Sequence, residues 1–287
     1  AGNRNDVTTL QEIVNAMAKG SPEAQAIMLS LADRYFQDNQ MDKCEKLYRE
    51  FFQQYTNQIP TDPELIKFYR KAAYKFGQML GQQNDPRSAA NVYDLLLATI
   101  DPTNEMRRQV LVEQAEFLLQ SVRRTPPGPE REQIIIKART NSQEVVWGGN
   151  DLWFGRAIIA MAQADVISGQ KDQAMVLLKQ NLAFIKQYDA EMRATKAIPI
   201  AESPLAGARS LLGGLYQEEA DILSADILDP KGPKDKRQNE ALGYFERGFA
   251  EIETVWKLVD AEAKRDVVVV GTNKARKATL SGTPSQR

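Results

Sequence analysis

Two stretches decide the fold: "MLSLADRYFQDNQMDKCEKLYREFF" at residues 28–52 and "AYKFGQMLGQQNDPRSAANVYDLLL" at residues 73–97. They align without a gap at an offset of 45 residues, and small and aromatic residues recur at the same places. The aligned pairs are Ala32 with Gly77, Cys44 with Ala89, and Tyr48 with Tyr93. Self-similarity at a fixed period of this length indicates a repeat architecture.

The same chain carries a repeated helix-start signal, a serine or aspartate followed directly by proline. The five pairs are Ser21-Pro22, Asp62-Pro63, Asp85-Pro86, Asp101-Pro102 and Ser203-Pro204. The first residue of each pair can accept a hydrogen bond from a free amide of the first helical turn. Proline is favourable at the next position because its φ is already near helical and it has no amide to leave unpaired. We therefore expect a helix to begin at each pair.

Apolar residues recur at helical spacing along most of the chain, and alternating strand patterns are absent from the sequence. The pattern predicts eleven helices, over residues 8–19, 22–38, 41–56, 63–82, 86–99, 102–124, 130–146, 151–168, 171–196, 204–228 and 237–264. The expected domain is a single helical repeat domain over residues 1–264, with a sub-boundary near residues 125–129. Residues 265–287 are basic, and we expect them to be a poorly ordered tail.

The aligned stretches resemble tetratricopeptide repeats, which place small and aromatic residues at set positions of two helices. The matching residues of the first repeat are Met28, Leu31, Ala32, Tyr35, Cys44, Tyr48 and Phe51, and those of the second are Ala73, Phe76, Gly77, Leu80, Ala89, Tyr93 and Leu96. A later repeat fits through Ile158, Met161, Ala162, Ala174 and Leu178, although Asp165 stands where a large apolar residue is usual. A further partial match contains Leu212, Gly213 and Tyr216. The period of 45 residues is longer than the tetratricopeptide period of about 34 and lies in the HEAT/armadillo range, so a HEAT-like fold is the alternative.

The resemblance implies an all-α fold, an α-α superhelix in which antiparallel helix pairs stack into a right-handed solenoid. In tetratricopeptide proteins the first helix of each pair lines a concave surface that binds a peptide or a partner protein. The side chains that the alignment places on this surface are Asp33, Tyr74, Gln78, Arg156, Gln163 and Gln217. The predicted function is a non-catalytic protein–protein interaction scaffold. The alternatives are a structural fragment of a larger helical-repeat assembly and an all-α enzyme that uses carboxylates.

Small residues within the predicted helices indicate close helix crossings. A glycine inside a helix costs about 1 kcal/mol relative to alanine, so Gly77, Gly213 and Gly248 need packing to compensate. Cys44 occupies a slot that alanine fills in the next repeat, which predicts a buried structural cysteine rather than a reactive one.

Composition removes several classes of function. The 287 residues contain no histidine and one cysteine, so histidine-dependent triads, cysteine zinc clusters and internal disulfides are excluded. The formal net charge of −1 gives no field that would recruit nucleic acid, and no apolar run is long enough to span a membrane. The acidic run Glu218, Glu219, Asp221 and Asp226 is interpreted as a solvated helix face. We expect no cofactor and no metal, and a protein or peptide partner, with self-association through the terminal helices left open.

The stretch "WGGNDLWFG" at residues 147–155 is interpreted as a rigid joint between two helices rather than a ligand pocket. Gly148 or Gly149 is expected at positive φ after one helix, and Asn150 or Asp151 is expected to cap the next. The aromatic residues, Trp153 above all, are expected to be mainly buried. The chain starts at Ala1 without methionine, which is compatible with signal cleavage and favours an extracytoplasmic location, with a cytoplasmic one left open.

Overall fold

The computed structural model describes residues 8–10, 12–13, 21–55, 59–149, 151–195, 203–225 and 235–280. Within these residues the regular structure is helical throughout, and no strand is present. The helices are α1 (Pro22–Gln37), α2 (Met41–Gln53), α3 (Pro63–Gln82), α4 (Pro86–Leu97), α5 (Glu105–Val122), α6 (Pro129–Trp147), α7 (Leu152–Ile167), α8 (Lys171–Thr195), α9 (Pro204–Ala225) and α10 (Asp235–Leu280). The all-α fold predicted from the sequence is confirmed.

Ten of the predicted helices correspond to α1–α10, with ends that differ by a few residues except at the end of the last helix. The predicted helix over residues 8–19 lies mostly outside the described residues. Helix α10 continues to Leu280, whereas the sequence pattern predicts its end at residue 264. Residues 265–280 belong to this helix, residues 281–287 lie outside the described part of the chain, and the poorly ordered tail over residues 265–287 stays a prediction.

The chain forms two compact units, residues 1–145 and residues 146–287. In the first unit, α1 packs on α2 and α3, α3 packs on α4, and α4 packs on α5. In the second, α7 packs on α8, α9 packs on both of them, and α10 packs on α9. Each unit is thus an α-α superhelical arrangement of consecutive helices around its own apolar core. The single domain over 1–264 stays a prediction.

Three of the helix pairs are joined by the same three-residue turn. Its middle residue has a left-handed backbone conformation, at Asn39 (φ 55°), Asn84 (φ 63°) and Gly169 (φ 79°). Asparagine and glycine tolerate this conformation better than other residues. The next amide in each turn donates to the carbonyl five residues before it, from Gln40 to Tyr35 at 2.8 Å and from Asp85 to Leu80 at 2.9 Å. Because this hydrogen bond reverses the chain after the first helix, the two helices of each pair run antiparallel.

Four of the five predicted Ser-Pro and Asp-Pro pairs cap helices. Ser21, Asp62, Asp85 and Ser203 each accept a hydrogen bond from an amide of the following first turn. The fifth pair does not, and the prediction for Asp101-Pro102 is wrong. Asp101 instead closes a local turn by accepting from the amide of Thr103 at 3.0 Å. Helix α5 begins later, where Asn104 accepts from the amide of Met106 at 2.9 Å.

The predicted close crossings occur at the expected glycines. A Cβ added to Gly77 would lie 2.3 Å from Cε1 of Tyr93, a side chain that is itself fully buried. In the second unit a Cβ on Gly213 would lie 2.9 Å from Cδ1 of Ile252, and one on Gly248 would lie 3.1 Å from the carbonyl oxygen of Gly213. Absence of a side chain at these places lets the paired helices approach closely.

Candidate functional site

The first helices of the pairs in the first unit carry a row of polar side chains that bridge one helix to the next. Asp33 on α1 accepts from the Nζ of Lys75 on α3 at 2.5 Å, and the Nζ of Lys71 lies 3.6 Å from its other carboxylate oxygen. Both lysine side chains are more than a third exposed. Such solvent-exposed ion pairs contribute little to stability, typically 0–1 kcal/mol. The charges therefore remain close to solvent, where a partner can contact them.

Tyr74, which lies between Lys71 and Lys75 on α3, forms the second bridge, to α5. Its ring stacks on Tyr93, with ring centroids 6.0 Å apart. Its hydroxyl accepts from the amides of Gln78 at 2.8 Å and Gln109 at 2.6 Å. Glu113 on α5 receives three hydrogen bonds, from Gln109 at 2.8 Å, from Tyr93 at 2.6 Å and from Tyr74 at 3.3 Å. The hydrogen bonds hold these side chains in fixed positions.

We call this surface the first-helix face. It consists of Asp33, Lys71, Tyr74, Lys75, Gln78, Gln109 and Glu113. The sequence alignment found three of its members, Asp33, Tyr74 and Gln78, and the structure brings them together through the bridges described above. It missed the residues on α5, because residues 103–146 fit the repeat pattern poorly and gave no register for that helix.

The other three predicted residues, Arg156, Gln163 and Gln217, belong to the second unit. Arg156 is half-buried, and its guanidinium lies 5.3 Å from the centre of the Trp153 ring. Gln163 is half-buried on α7, and Gln217 is exposed on α9, close to the crossing at Gly248. These three residues therefore belong to a different unit from the first-helix face and are not assigned to it.

The joint at residues 147–155 is only partly as predicted. Gly149 has the expected positive φ of 115°, and Asp151 caps α7 by accepting from the amides of Trp153 at 2.9 Å and Phe154 at 3.2 Å. The expectation of mainly buried aromatic residues fails at Trp147, whose exposed fraction is 80%. Trp153 is half-buried and Phe154 is buried. Hydrophobic spacing does not distinguish the last turn of a helix, where no neighbouring helix remains to cover a side chain.

A second polar network links α4, α5 and α6. Gln114, which is fully buried, donates to the carbonyl oxygen of Ala90 and to Asp94, each at 2.8 Å, and accepts from Asn141 at 2.7 Å. Lys137 donates to both carboxylate oxygens of Asp94. A cleft of about 220 Å³ opens beside this network. Its charged lining residues, which include Arg87, Glu130 and Lys137, form ion pairs with one another or with Asp94, so the network serves to join the three helices.

Among the described residues of the second unit, two acids are buried. Asp189 on α8 accepts from the hydroxyl of Ser203 and from the amide of Leu205 at 3.4 Å, so its carboxylate reinforces the N-terminus of α9. Asp165 is buried on α7, where the sequence analysis noted an acid in place of an apolar residue. Across the described residues, no cluster of acidic side chains or cysteine has the geometry to hold a metal ion. Glu218, from the acidic run, pairs with Lys171, and Asp226 lies outside the described residues.

Cys44 occupies the buried structural position that the repeat alignment predicts. It is fully buried, and its thiol donates to the carbonyl oxygen of Ala32 at 3.2 Å. Burial raises the pKa of the Cys44 thiol to about 11, and the nearby carboxylate of Asp33 contributes to the increase. A thiol with a raised pKa in such a position is a poor nucleophile at neutral pH.

The last described helix exposes a regular apolar row. Six residues of α10 follow one another at spacings of three and four: Leu242, Phe245, Phe249, Ile252, Trp256 and Val259. The exposed fraction of their side chains ranges from 40% at Phe245 to 71% at Phe249 and Trp256. The adjacent face of α10, which includes Ala241 and Gly248, packs on α9. The apolar row thus lies at the edge of an occupied face: Ile252 also lies against Gly213 of α9, whereas Phe249 and Trp256 remain mostly exposed.

No protein-family model matches the sequence, and no curated protein matches it. Among solved structures the fold is similar to the crystal structure of BtubC (BKLC) from P. vanneervenii, with a TM-score of 0.51. The two sequences are 15% identical, and the match covers 100% of this chain and 96% of that one. The similarity supports an arrangement of repeated helix pairs and shows the fold alone. Among the helices that the structure describes, none is long and apolar enough to cross a membrane.

The prediction that the chain is not an enzyme requires correction and is withdrawn. It rested on the missing histidine and on the resemblance to binding scaffolds. The matched protein shares only the fold with this chain, and one fold commonly carries catalytic and non-catalytic members alike. A fold of repeated helix pairs therefore gives no ground for setting catalysis aside.

Proposed function

We propose that the chain is a protein–protein interaction scaffold of tetratricopeptide-like helix pairs, which binds a peptide or partner protein on the first-helix face. The observation that carries the proposal is the row of bridged polar side chains on α1, α3 and α5. The first helices of successive pairs line the binding surface in repeat proteins of this kind. Asp33, Tyr74 and Gln78, chosen from the sequence on that basis, belong to this row.

The chemistry of the face suits a polar peptide. Lys71 and Lys75 present positive charge, and the amides of Gln78 and Gln109 carry both donors and acceptors that can pair with a peptide backbone. The hydrogen bonds that hold Tyr74 and Glu113 reduce the side-chain freedom that would be lost on binding. Lys71 and Lys75 can exchange Asp33 for a carboxylate of the partner at little cost, because the existing pairs are solvent-exposed.

Site-specific photo-crosslinking tests this proposal. A benzophenone amino acid is placed at Lys71, on the first-helix face, and in a matched variant at Lys46, an exposed lysine of α2. In extract from the source cells we expect one defined partner to be captured at position 71 and absent at position 46. Capture of the same proteins at both positions, or at position 46 alone, would show that the first-helix face is not the binding surface.

A charge reversal checks the same partner without a crosslinker. The double substitution Lys71→Glu and Lys75→Glu should reduce its affinity by about tenfold or more, whereas Lys46→Glu should leave it unchanged. Circular dichroism of the three proteins should be the same, because all three lysines lie at the surface.

A further inference from the structure

We infer that the exposed row on α10 is a second docking surface, separate from the first-helix face, and that its occupant is a partner helix with an apolar heptad seam and basic flanks. We call the row the α10 stripe and define it by Leu242, Phe245, Phe249, Ile252, Trp256 and Val259. Alternating spacings of three and four are the pattern by which two helices interlock along a common seam. The stripe therefore fits another helix rather than an extended strand or a small molecule.

The exposure of the stripe follows the geometry of such a seam. Phe245, Ile252 and Val259 lie nearer to α9 and are 40–44% exposed, whereas Phe249 and Trp256 lie farther away and are 71% exposed. Large aromatic side chains that stand free in a continuous apolar row are costly to hydrate and mark interaction sites. A helix laid on the stripe would cover the more exposed positions, which α9 does not reach.

Acidic side chains beside the stripe determine the charge that a partner helix needs. On the side away from α9, the row of α10 next to the stripe carries Glu246, Glu253 and Asp260, spaced by seven residues. In heptad seams the residues at these flanking positions select the partner through their charge. Glu253 also pairs with Lys257 at 2.8 Å, but both side chains are exposed and such a pair contributes little. A partner helix with lysine or arginine beside its own seam therefore complements this acidic row, and one with glutamate there is repelled.

The same charges disfavour a second copy of this chain as the occupant. In an antiparallel pair of copies, the row of Glu246, Glu253 and Asp260 would face its own equivalent. In a parallel pair it would face the α9 side of the other stripe, where Gly248 and Val255 carry no charge. Neither arrangement gives the acids an opposite charge, so the notion of self-association through the terminal helices is not favoured.

Two designed peptides test the inference on the full chain. Both have three heptads with leucine at the seam positions; one has lysine at both flanking positions and the other has glutamate. Fluorescence anisotropy at low ionic strength should show at least about tenfold tighter binding of the lysine peptide. Phe249→Ser with Trp256→Ser should weaken that binding at least tenfold, while Trp147→Ser, a control at an exposed tryptophan outside the stripe, should not.

Charge reversal distinguishes helix recognition from general stickiness. Glu246→Lys with Glu253→Lys should invert the preference so that the glutamate peptide binds more tightly. Absence of binding, equal binding of the two peptides, or a preference that survives the reversal would overturn the inference. Sedimentation equilibrium supplies a further test: a dimer that Phe249→Ser with Trp256→Ser abolishes would show that a second copy occupies the stripe. These results are independent of the proposed function, because the variants that test the first-helix face change no residue of α10.

Discussion

At the scale of single residues, the packing of Gly77 under Tyr93 gives a sharp prediction. Gly77→Ala should destabilise the chain by about 1–3 kcal/mol, because the new Cβ would lie 2.3 Å from a fully buried ring. The matched control is Gly214 of α9, where a Cβ meets nothing within 4 Å. Gly214→Ala should stabilise by about 0.5–1 kcal/mol through helix propensity alone. Denaturant unfolding of both variants measures the two effects, and a Gly77→Ala variant as stable as the parent would refute the close crossing.

The buried thiol of Cys44 should make the free energy of unfolding depend on pH. Folding raises the pKa of its thiol from 9.0 to about 11, so the folded state holds the proton more tightly than the unfolded state does. The contribution of the neutral thiol is complete below pH 9 and is lost as the pH rises from 9 to 11, by up to about 2–3 kcal/mol.

The variant Cys44→Ala should show a shallower loss of unfolding free energy over the same window. Burial also raises the pKa of Tyr48 above 10.0, with smaller contributions from Cys44 and Asp33, so both proteins lose stability through Tyr48 above about pH 10 and only the parent also loses it through Cys44. At pH 7 the substitution itself should cost under about 1.5 kcal/mol, because alanine fills the equivalent position at Ala89. Equal slopes between pH 9 and 11 would contradict a buried, neutral thiol at position 44.

At the scale of helices and turns, two substitutions test whether Asn104 or Asp101 caps the start of α5. Asn104→Ala should cost about 1 kcal/mol, because it removes the hydrogen bond to the amide of Met106. Asp101→Ala should cost less, since Asp101 is exposed and closes only a local turn with Thr103. Thermal unfolding of the two variants ranks them, and a larger loss for Asp101→Ala would restore the aspartate as the cap of α5.

Most of the helices could be predicted from the sequence because their starts and turns are local. Ser21, Asp62 and Asp85 accept hydrogen bonds from amides within three residues of themselves, so their capping role can be predicted without knowledge of the tertiary structure. The repeated turn also has a signal in the sequence, since Asn39 and Asn84 occupy the same place in the two aligned stretches. Its significance appears only once the backbone conformation is known.

The candidate site was predictable only in part because it depends on contacts between helices. Tyr74 could be assigned to a surface by repeat register, but its bridge to Gln109 and Glu113 requires the position of α5. The exposure of Trp147 and of the α10 stripe also could not be predicted from the sequence. An apolar spacing shows which face of a helix is apolar, and only the neighbouring helices determine whether that face is covered.

At the scale of the whole molecule, the two units carry natural probes of their own stability. Cys44, the single cysteine, lies in the first unit, and the three tryptophans, Trp147, Trp153 and Trp256, all lie in the second. Because each unit has its own core, we expect two unfolding midpoints in urea, one from thiol reactivity and one from tryptophan fluorescence. Coincident midpoints with equal slopes would indicate a single cooperative structure.

Hydrogen–deuterium exchange can locate the binding of a protein partner on the first-helix face. The full chain is compared with and without the partner captured at position 71. The predicted result is slower exchange at the ends and exposed faces of α1, α3 and α5 in the complex, with α2 and α4 unchanged. Slower exchange confined to α2 and α4, with α1, α3 and α5 unaffected, would show that the partner does not bind the first-helix face.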